Sequence, residues 1–440
     1  GMSAVHLADG TLTMESGSKI IDDSVTDRTK GESGSVGPAG AVWMQGGTFT
    51  MEEGAVVGSE NSESPMIGRG VYIDAGEVSI SGNISNIKVD SDMWMGVNGA
   101  GVHARNKGVA TVETTGKIDS ITGSKGTALY TTDGKLIFKG TVEDCTVGNA
   151  IYLDSSRDEM AAELSGTVKN NTCTGGDGYC VAISNSQATL TETCIIDSNT
   201  SSVATLLCSS GSDAEFYGKI TNNTANHGSG SGGVHITNFW ASSSSSFDMY
   251  SGAVISNNSN TLGTAAVNVS SANATSNCYF TMHGGTISGN IGTNGGAIKA
   301  QRHGQVVVDD GEISGNNTKY AVYLNGAEYA NTRALFTMNG GKIENNTGYG
   351  VYYNAGTGGA TNAKVDIAKG IIRGNNNGEG QICVVNGFSK SGTERVSIAK
   401  DNVTLSNRDI DLDDLTITLA ENYDNVKLGN VSTANEATLN

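Results

Sequence analysis

The stretch FTMHGGTISGN at 280–290 returns as FTMNGGKIENN at 336–346 and, with looser turns, as FTMEEGAVVGS at 49–59. A phrase that recurs over a long Gly-rich chain marks a repeat architecture, in which each unit buries its apolar face against its neighbours. Taking the aliphatic residue after the Gly turn as an anchor gives Ile20, Val56, Ile84, Ile118, Val142, Val168, Ile195, Ile220, Val254, Ile287, Ile313, Ile343 and Ile372, thirteen units of about 29 residues. Gly stands two positions before eleven of the thirteen, Ser18 and Thr193 being the exceptions.

Upstream of each anchor lies an alternating pair such as Phe280/Met282, Val306/Val308 or Phe336/Met338, the period of two of a strand with one buried face. Downstream comes a second alternating strand: Gly70-Val71-Tyr72-Ile73, Ala150-Ile151-Tyr152-Leu153 and Ala321-Val322-Tyr323-Leu324. With the short segment at the anchor, each unit holds three strands joined by Gly and Asn turns. That is one coil of a right-handed parallel β-helix, an all-β solenoid of about thirteen coils over residues 1–390. Residues 391–440 keep alternation in looser register and read as irregular C-terminal coils or a cap, which an open strand edge requires. No segment sustains a 3.6-residue apolar period, so helical and leucine-rich solenoids are excluded.

Asn follows the anchor by three residues at Asn171, Asn223, Asn257, Asn290, Asn316, Asn346 and Asn375, and Cys145 falls in the same register. This column is expected to be structural, because stacked Asn side chains hydrogen-bond from coil to coil.

Composition narrows the function. A net charge of −18 argues against nucleic acid and against electrostatic attachment to anionic membranes. No apolar run is long enough to span a bilayer, and no signal sequence opens the chain; Gly1-Met2 reads as an added boundary, so a leader would lie outside it. The seven Cys (145, 173, 180, 194, 208, 278, 383) fit no zinc spacing and read as small buried hydrophobes, with a local bridge between Cys173 and Cys180 as an alternative.

The residue between the two inward aliphatics of the downstream strand is expected to face solvent. Stacking then aligns Trp43, Tyr72, His103, Tyr130, Tyr152, Ala182, His235, Asn268, Lys299, Tyr323 and Tyr352 in one column. Outward aromatic rows suit sugar rings, whose C–H faces stack on them. Loop residues Trp94 and Trp240 are further binding candidates. The column holds no Asp or Glu, against the two flanking carboxylates of a glycosidase; Asp22-Asp23, Asp309-Asp310 and Asp413-Asp414 read as solvated turns.

Gly295-Gly296-Ala297-Ile298 and Phe336-Thr337-Met338-Asn339 resemble the GGAI and FxxN repeats of bacterial polymorphic membrane proteins and related β-helix surface adhesins, over residues 10–390. The chain departs from them at Phe280-Thr281-Met282-His283, where the pattern wants Asn, and in having no autotransporter barrel. The resemblance implies a secreted or surface-displayed protein that contacts a host surface or glycan. Pectin-lyase-like enzymes are similar in architecture alone: Pro38 and Pro65 are the only prolines, so no Arg-x-Pro-x-x-Arg can occur. The expectation is a non-catalytic binder, monomeric and without cofactor or metal, with a carbohydrate-active enzyme and a passive stalk as the alternatives.

Overall fold

The computed structural model describes residues 3–21, 40–89, 99–175, 178–238, 243–272, 275–326, 334–354, 364–376, 382–385, 396–398, 403–405 and 410–412. It divides into two compact units, Gly1–Leu207 and Cys208–Asn440. Each is a parallel β-solenoid whose strands fall into three sheets. Helix is nearly absent among the described residues, the 3₁₀ turn Asp158–Met160 being an example of what there is, and no helix there is long and apolar enough to cross a membrane.

In the first unit the short anchor strands are Lys19–Ile21, Val56–Gly58, Asn83–Ser85, Lys117–Asp119, Thr141–Glu143, Thr167–Lys169 and Ile195–Asp197. In the second they are Lys219–Thr221, Val254–Ser256, Thr286–Ser288, Glu312–Ser314, Lys342–Glu344, Gly370–Arg373 and Val403–Leu405. Seven in each unit among the described residues makes the coil count differ slightly from thirteen. The difference is Val403–Leu405, which pairs in regular register with Gly370–Arg373.

Pairing corrects three anchors by one residue. Ile20 lies beside Val57, Val168 beside Ile196, and Ile220 beside Ile255, so Val57, Ile196 and Ile255 are the buried members and Val56, Ile195 and Val254 lean outward. The same shift moves the polar column: Asn258 replaces Asn257, and Asn199 joins it. Asn257 instead adopts a left-handed backbone at φ 55° one position earlier. That position is held in the other ladder coils by Asn170, Ser198, Asn222, Asn345 or a Gly, and Asn and Gly tolerate this geometry best.

The column is a continuous amide ladder of Asn223, Asn258, Asn290, Asn316, Asn346 and Asn375 in the second unit. Each of the first five donates its backbone N–H and side-chain Nδ2 to the Oδ1 of the next, at 2.8–3.1 Å. A further Nδ2 bond reaches a carbonyl of the preceding coil, as from Asn316 to Ile287 at 3.0 Å. In the first unit Asn171 and Asn199 repeat this bonding. Cys145 ends the run: its N–H donates to Asn171 Oδ1, and beyond it the buried positions are Ile121 and Ile87.

Inside the coils, Phe49, Phe138, Phe216, Phe247, Phe280 and Phe336 are fully buried with the aliphatic columns. Two turn glycines show why Gly precedes the anchor. Gly285 has φ +90°, and at Gly140 an added Cβ would stand 2.2 Å from the Gly116 carbonyl of the neighbouring coil. Cys145, Cys173, Cys180, Cys194, Cys208 and Cys278 are buried free thiols, so Cys173 and Cys180 are not bridged. Burial pushes the thiols of Cys194 and Cys278 up to about 12, which leaves them protonated and inert.

Candidate functional site

The downstream strand positions the aromatic column in the register expected of it. Trp43, Tyr72, His103, Tyr130, Tyr152 and Ala182 pair in succession in the first unit, with His6 before them. His235, Asn268, Lys299, Tyr323 and Tyr352 do so in the second.

The expectation that this column faces solvent fails over much of its length. Tyr72, His103, Tyr130 and Ala182 are 3%, 7%, 5% and 2% exposed, and His235 and Asn268 are 3% and 1% exposed. Rings set one coil apart touch one another and exclude water from their own faces. His6 stacks on Trp43 at 4.0 Å, and Tyr72, His103, Tyr130 and Tyr152 follow edge to face at 4.7–5.3 Å. The guanidiniums of Arg69 and Arg105 stand 5.3 and 5.5 Å from the Tyr72 ring. Beyond Tyr152 the row ends in an apolar cluster of Tyr179, Ala182, Ala204 and Leu207. Burial pushes the Tyr130 hydroxyl up to about 12, and it donates to Asp154 Oδ2 at 3.4 Å. Trp94 and Trp240 lie outside the described residues.

In the second unit the column opens. Lys299, Tyr323 and Tyr352 are half-buried, and two tyrosines that the column did not predict, Tyr320 and Tyr349, join them. Tyr320 stacks on Tyr352 at 4.0 Å and meets Tyr323 at 4.9 Å; Tyr349 lies 5.9 Å from Tyr352. Lys299 Nζ sits 5.7 Å from the Tyr323 ring. The signal was in the sequence: Tyr320-Ala-Val-Tyr323 and Tyr349-Gly-Val-Tyr352 are one motif in adjacent coils, paired residue for residue at Tyr320, Val322 and Tyr323.

Beside these rings runs an open groove of about 550 Å³, lined by Ile291, Thr293, Asn317, Lys319, Tyr320, Thr347, Tyr349 and Asn376 with Gly292, Thr318 and Gly348. Its wall comes from a register shift. Strand Ile291–Arg302 carries three residues between Gly292 and Gly296, where strand Asn317–Asn325 carries only Lys319 between the paired Thr318 and Tyr320. The surplus stands out from the sheet, pinned by a bond from the Thr293 hydroxyl to the Thr261 carbonyl. At Gly348 a side chain would collide with the Lys319 carbonyl at 1.9 Å, so the groove floor stays bare. Rings, amides, hydroxyls and one exposed ammonium line this groove; none of its lining residues is Asp or Glu.

Of the acidic pairs, Asp309-Asp310 is described. Asp309 Oδ2 lies 3.0 Å from His283 Nδ1 and accepts from Asn339 at its other oxygen; Asp22-Asp23 and Asp413-Asp414 lie outside the described residues. His283 also ends a stack with Tyr250 and Tyr217, at 5.0 and 4.5 Å. No cluster of metal-ligating side chains occurs among the described residues.

His235 carries a testable consequence. Burial foremost, with His227 and Lys299 nearby, pushes its imidazole down to about 3, so the folded unit holds it neutral. The unfolded chain binds this proton near the ordinary value of about 6.5. Its stabilising effect is therefore complete above about pH 6.5 and is lost as pH falls from there toward 3. By about pH 4.5 the loss should reach about 3 kcal/mol. Denaturant titrations at both pH values should show a smaller acid loss in His235→Asn by that amount; equal losses would mean the imidazole is not held neutral.

No protein-family model matches this chain, and neither the curated proteins nor the solved structures yielded a match.

Proposed function

We propose that this chain is a non-catalytic, adhesin-like solenoid, secreted or displayed at a cell surface, that binds glycan through the second unit. The observation that carries this reading is the cluster of four half-buried tyrosines, two of which, Tyr320 and Tyr349, line an open groove of amides and hydroxyls. A sugar ring needs a flat apolar surface for its C–H face and polar groups beside it for its hydroxyls, and the groove supplies both. Ile291, 44% exposed at the groove edge, adds to the apolar part. Hydrolysis by two flanking carboxylates has no groups to draw on among the lining residues, which favours binding over cleavage. The GGAI and FxxN repeats support the surface-adhesin part of the reading. The reading differs from a row of binding aromatics along the whole chain: Tyr323 and Tyr352 remain in it, and Tyr320 and Tyr349 join them.

The test is a glycan array with the purified chain, run beside a reducing-sugar assay on the same polysaccharides. Binding without product is expected. Tyr320→Ala and Tyr349→Ala should each weaken it at least about tenfold, the equivalent of about 1.4 kcal/mol, while Tyr72→Phe and Tyr130→Phe leave it unchanged. Released product would overturn the non-catalytic reading, and an array with no binding would leave a stalk.

A further inference from the structure

We propose that the glycan on this groove carries an acidic substituent, a carboxylate or a sulfate, that is read by Lys319 and Lys299; the inference rests on the glycan-binding reading of the same surface.

The chain has 45 Asp and Glu against 27 Lys and Arg, so a groove drawn from its average surface would hold carboxylates in excess. This one holds none among its lining residues and one ammonium, that of Lys319; Lys299 stands outside the lining, against the Tyr323 ring. Lys319 is exposed and immediately precedes Tyr320, between the groove floor and the wall raised by Thr293. No carboxylate among the described residues forms a salt bridge with it. Lys299 pairs in register with Tyr323, and its ammonium lies 5.7 Å from that ring. A sugar stacked on Tyr320 or Tyr349 therefore has an ammonium within reach of its ring substituents. An ammonium on a flexible stem reads an anion as a point charge and accepts either geometry, carboxylate or sulfate.

The same charges limit how acidic the ligand is. The net −18 of the chain opposes approach of a dense polyanion, whereas a sparse acidic group can sit within a Debye length, about 8 Å, of the Lys319 ammonium. The ligand class is a largely neutral glycan with sparse acidic groups.

The probes are hydroxyethylcellulose, carboxymethylcellulose of low substitution and cellulose sulfate of matched substitution, immobilised and titrated with the full chain. At about 50 mM salt the charged polymers should bind about fivefold more tightly than the neutral one, and the preference should fade toward about 0.5 M. Lys319→Gln should remove most of the preference and leave neutral binding intact, and Tyr320→Ala should weaken all three. The carboxylate and sulfate arms report which acidic group is preferred. Equal binding of all three, or a preference that survives Lys319→Gln with Lys299→Gln, would overturn the inference while the glycan reading stands. No Tyr320-dependent binding to any of the three or to the array would overturn both.

Discussion

Phe247→Ala should destabilise the second unit by about 3–5 kcal/mol, the range for removing a large aromatic side chain from a tightly packed core. Phe247 has no exposed surface and lies between Phe280 at 6.3 Å, its paired residue in one neighbouring coil, and Phe216 at 5.4 Å in the other, two residues along the strand from the paired Ala214. The backbone on both sides is fixed by parallel pairing, so the coil cannot collapse onto the void. In a solenoid, stability is a sum of coil terms and nearest-neighbour terms, so the damage should concentrate locally. Native-state hydrogen exchange should therefore accelerate most in strands Asp213–Phe216, Ser245–Met249 and Cys278–Met282. Phe247→Leu, which keeps most of the volume, should cost less than half as much. A loss under about 1 kcal/mol for the Ala variant would mean that the interior repacks freely, contrary to close-packed stacking.

Asn316→Ala should cost about 3 kcal/mol by a different route. Its side chain accepts from the backbone N–H and Nδ2 of Asn290 and donates to the Ile287 carbonyl and to Asn346 Oδ1. All these groups are buried, and removing one partner leaves the others without water or protein to replace it, at about 1–3 kcal/mol for each stranded group. The comparison is Asn257→Ala. That residue is exposed in the left-handed turn and bears no ladder bond, so its loss should stay within about 1 kcal/mol. Urea midpoints of the two variants decide the point; equal losses would show that the ladder contributes no more than the turn.

That contrast also marks how much could be read in advance. Where one aliphatic residue stands alone at the anchor, as at Ile118 or Ile287, period-two alternation identifies the inward side chain without ambiguity. At Val56-Val57, Ile195-Ile196 and Val254-Ile255 two stand together, and either satisfies the pattern. The choice falls to the neighbouring coil, through the pairing of Val57 with Ile20, Ile196 with Val168 and Ile255 with Ile220. Asn257-Asn258 poses the same ambiguity for the ladder, and Asn199 was hidden because its anchor was set one residue early.

The candidate site divides in the same way. Tyr323 and Tyr352 were legible because their strand alternates cleanly. Tyr320 and Tyr349 sit three residues earlier, just past the corner, where the alternation restarts and the facing of a side chain is not a matter of parity. The groove wall depends on a difference between two coils, three residues against one over the same paired span, which neither coil reveals alone.

By itself the sequence determined the coil, the three-strand repeat, the amide ladder as a device and the register that aligns the aromatics, because each follows from spacing along one chain. The tertiary structure alone decided which aromatics reach solvent. Tyr72 and Tyr323 occupy the same place in their coils, yet one is 3% exposed between two arginines and a histidine while the other is half-buried beside Tyr320 and Lys299. Exposure is set by the side chains and loops of neighbouring coils, about 29 residues away in sequence and one strand spacing away in space.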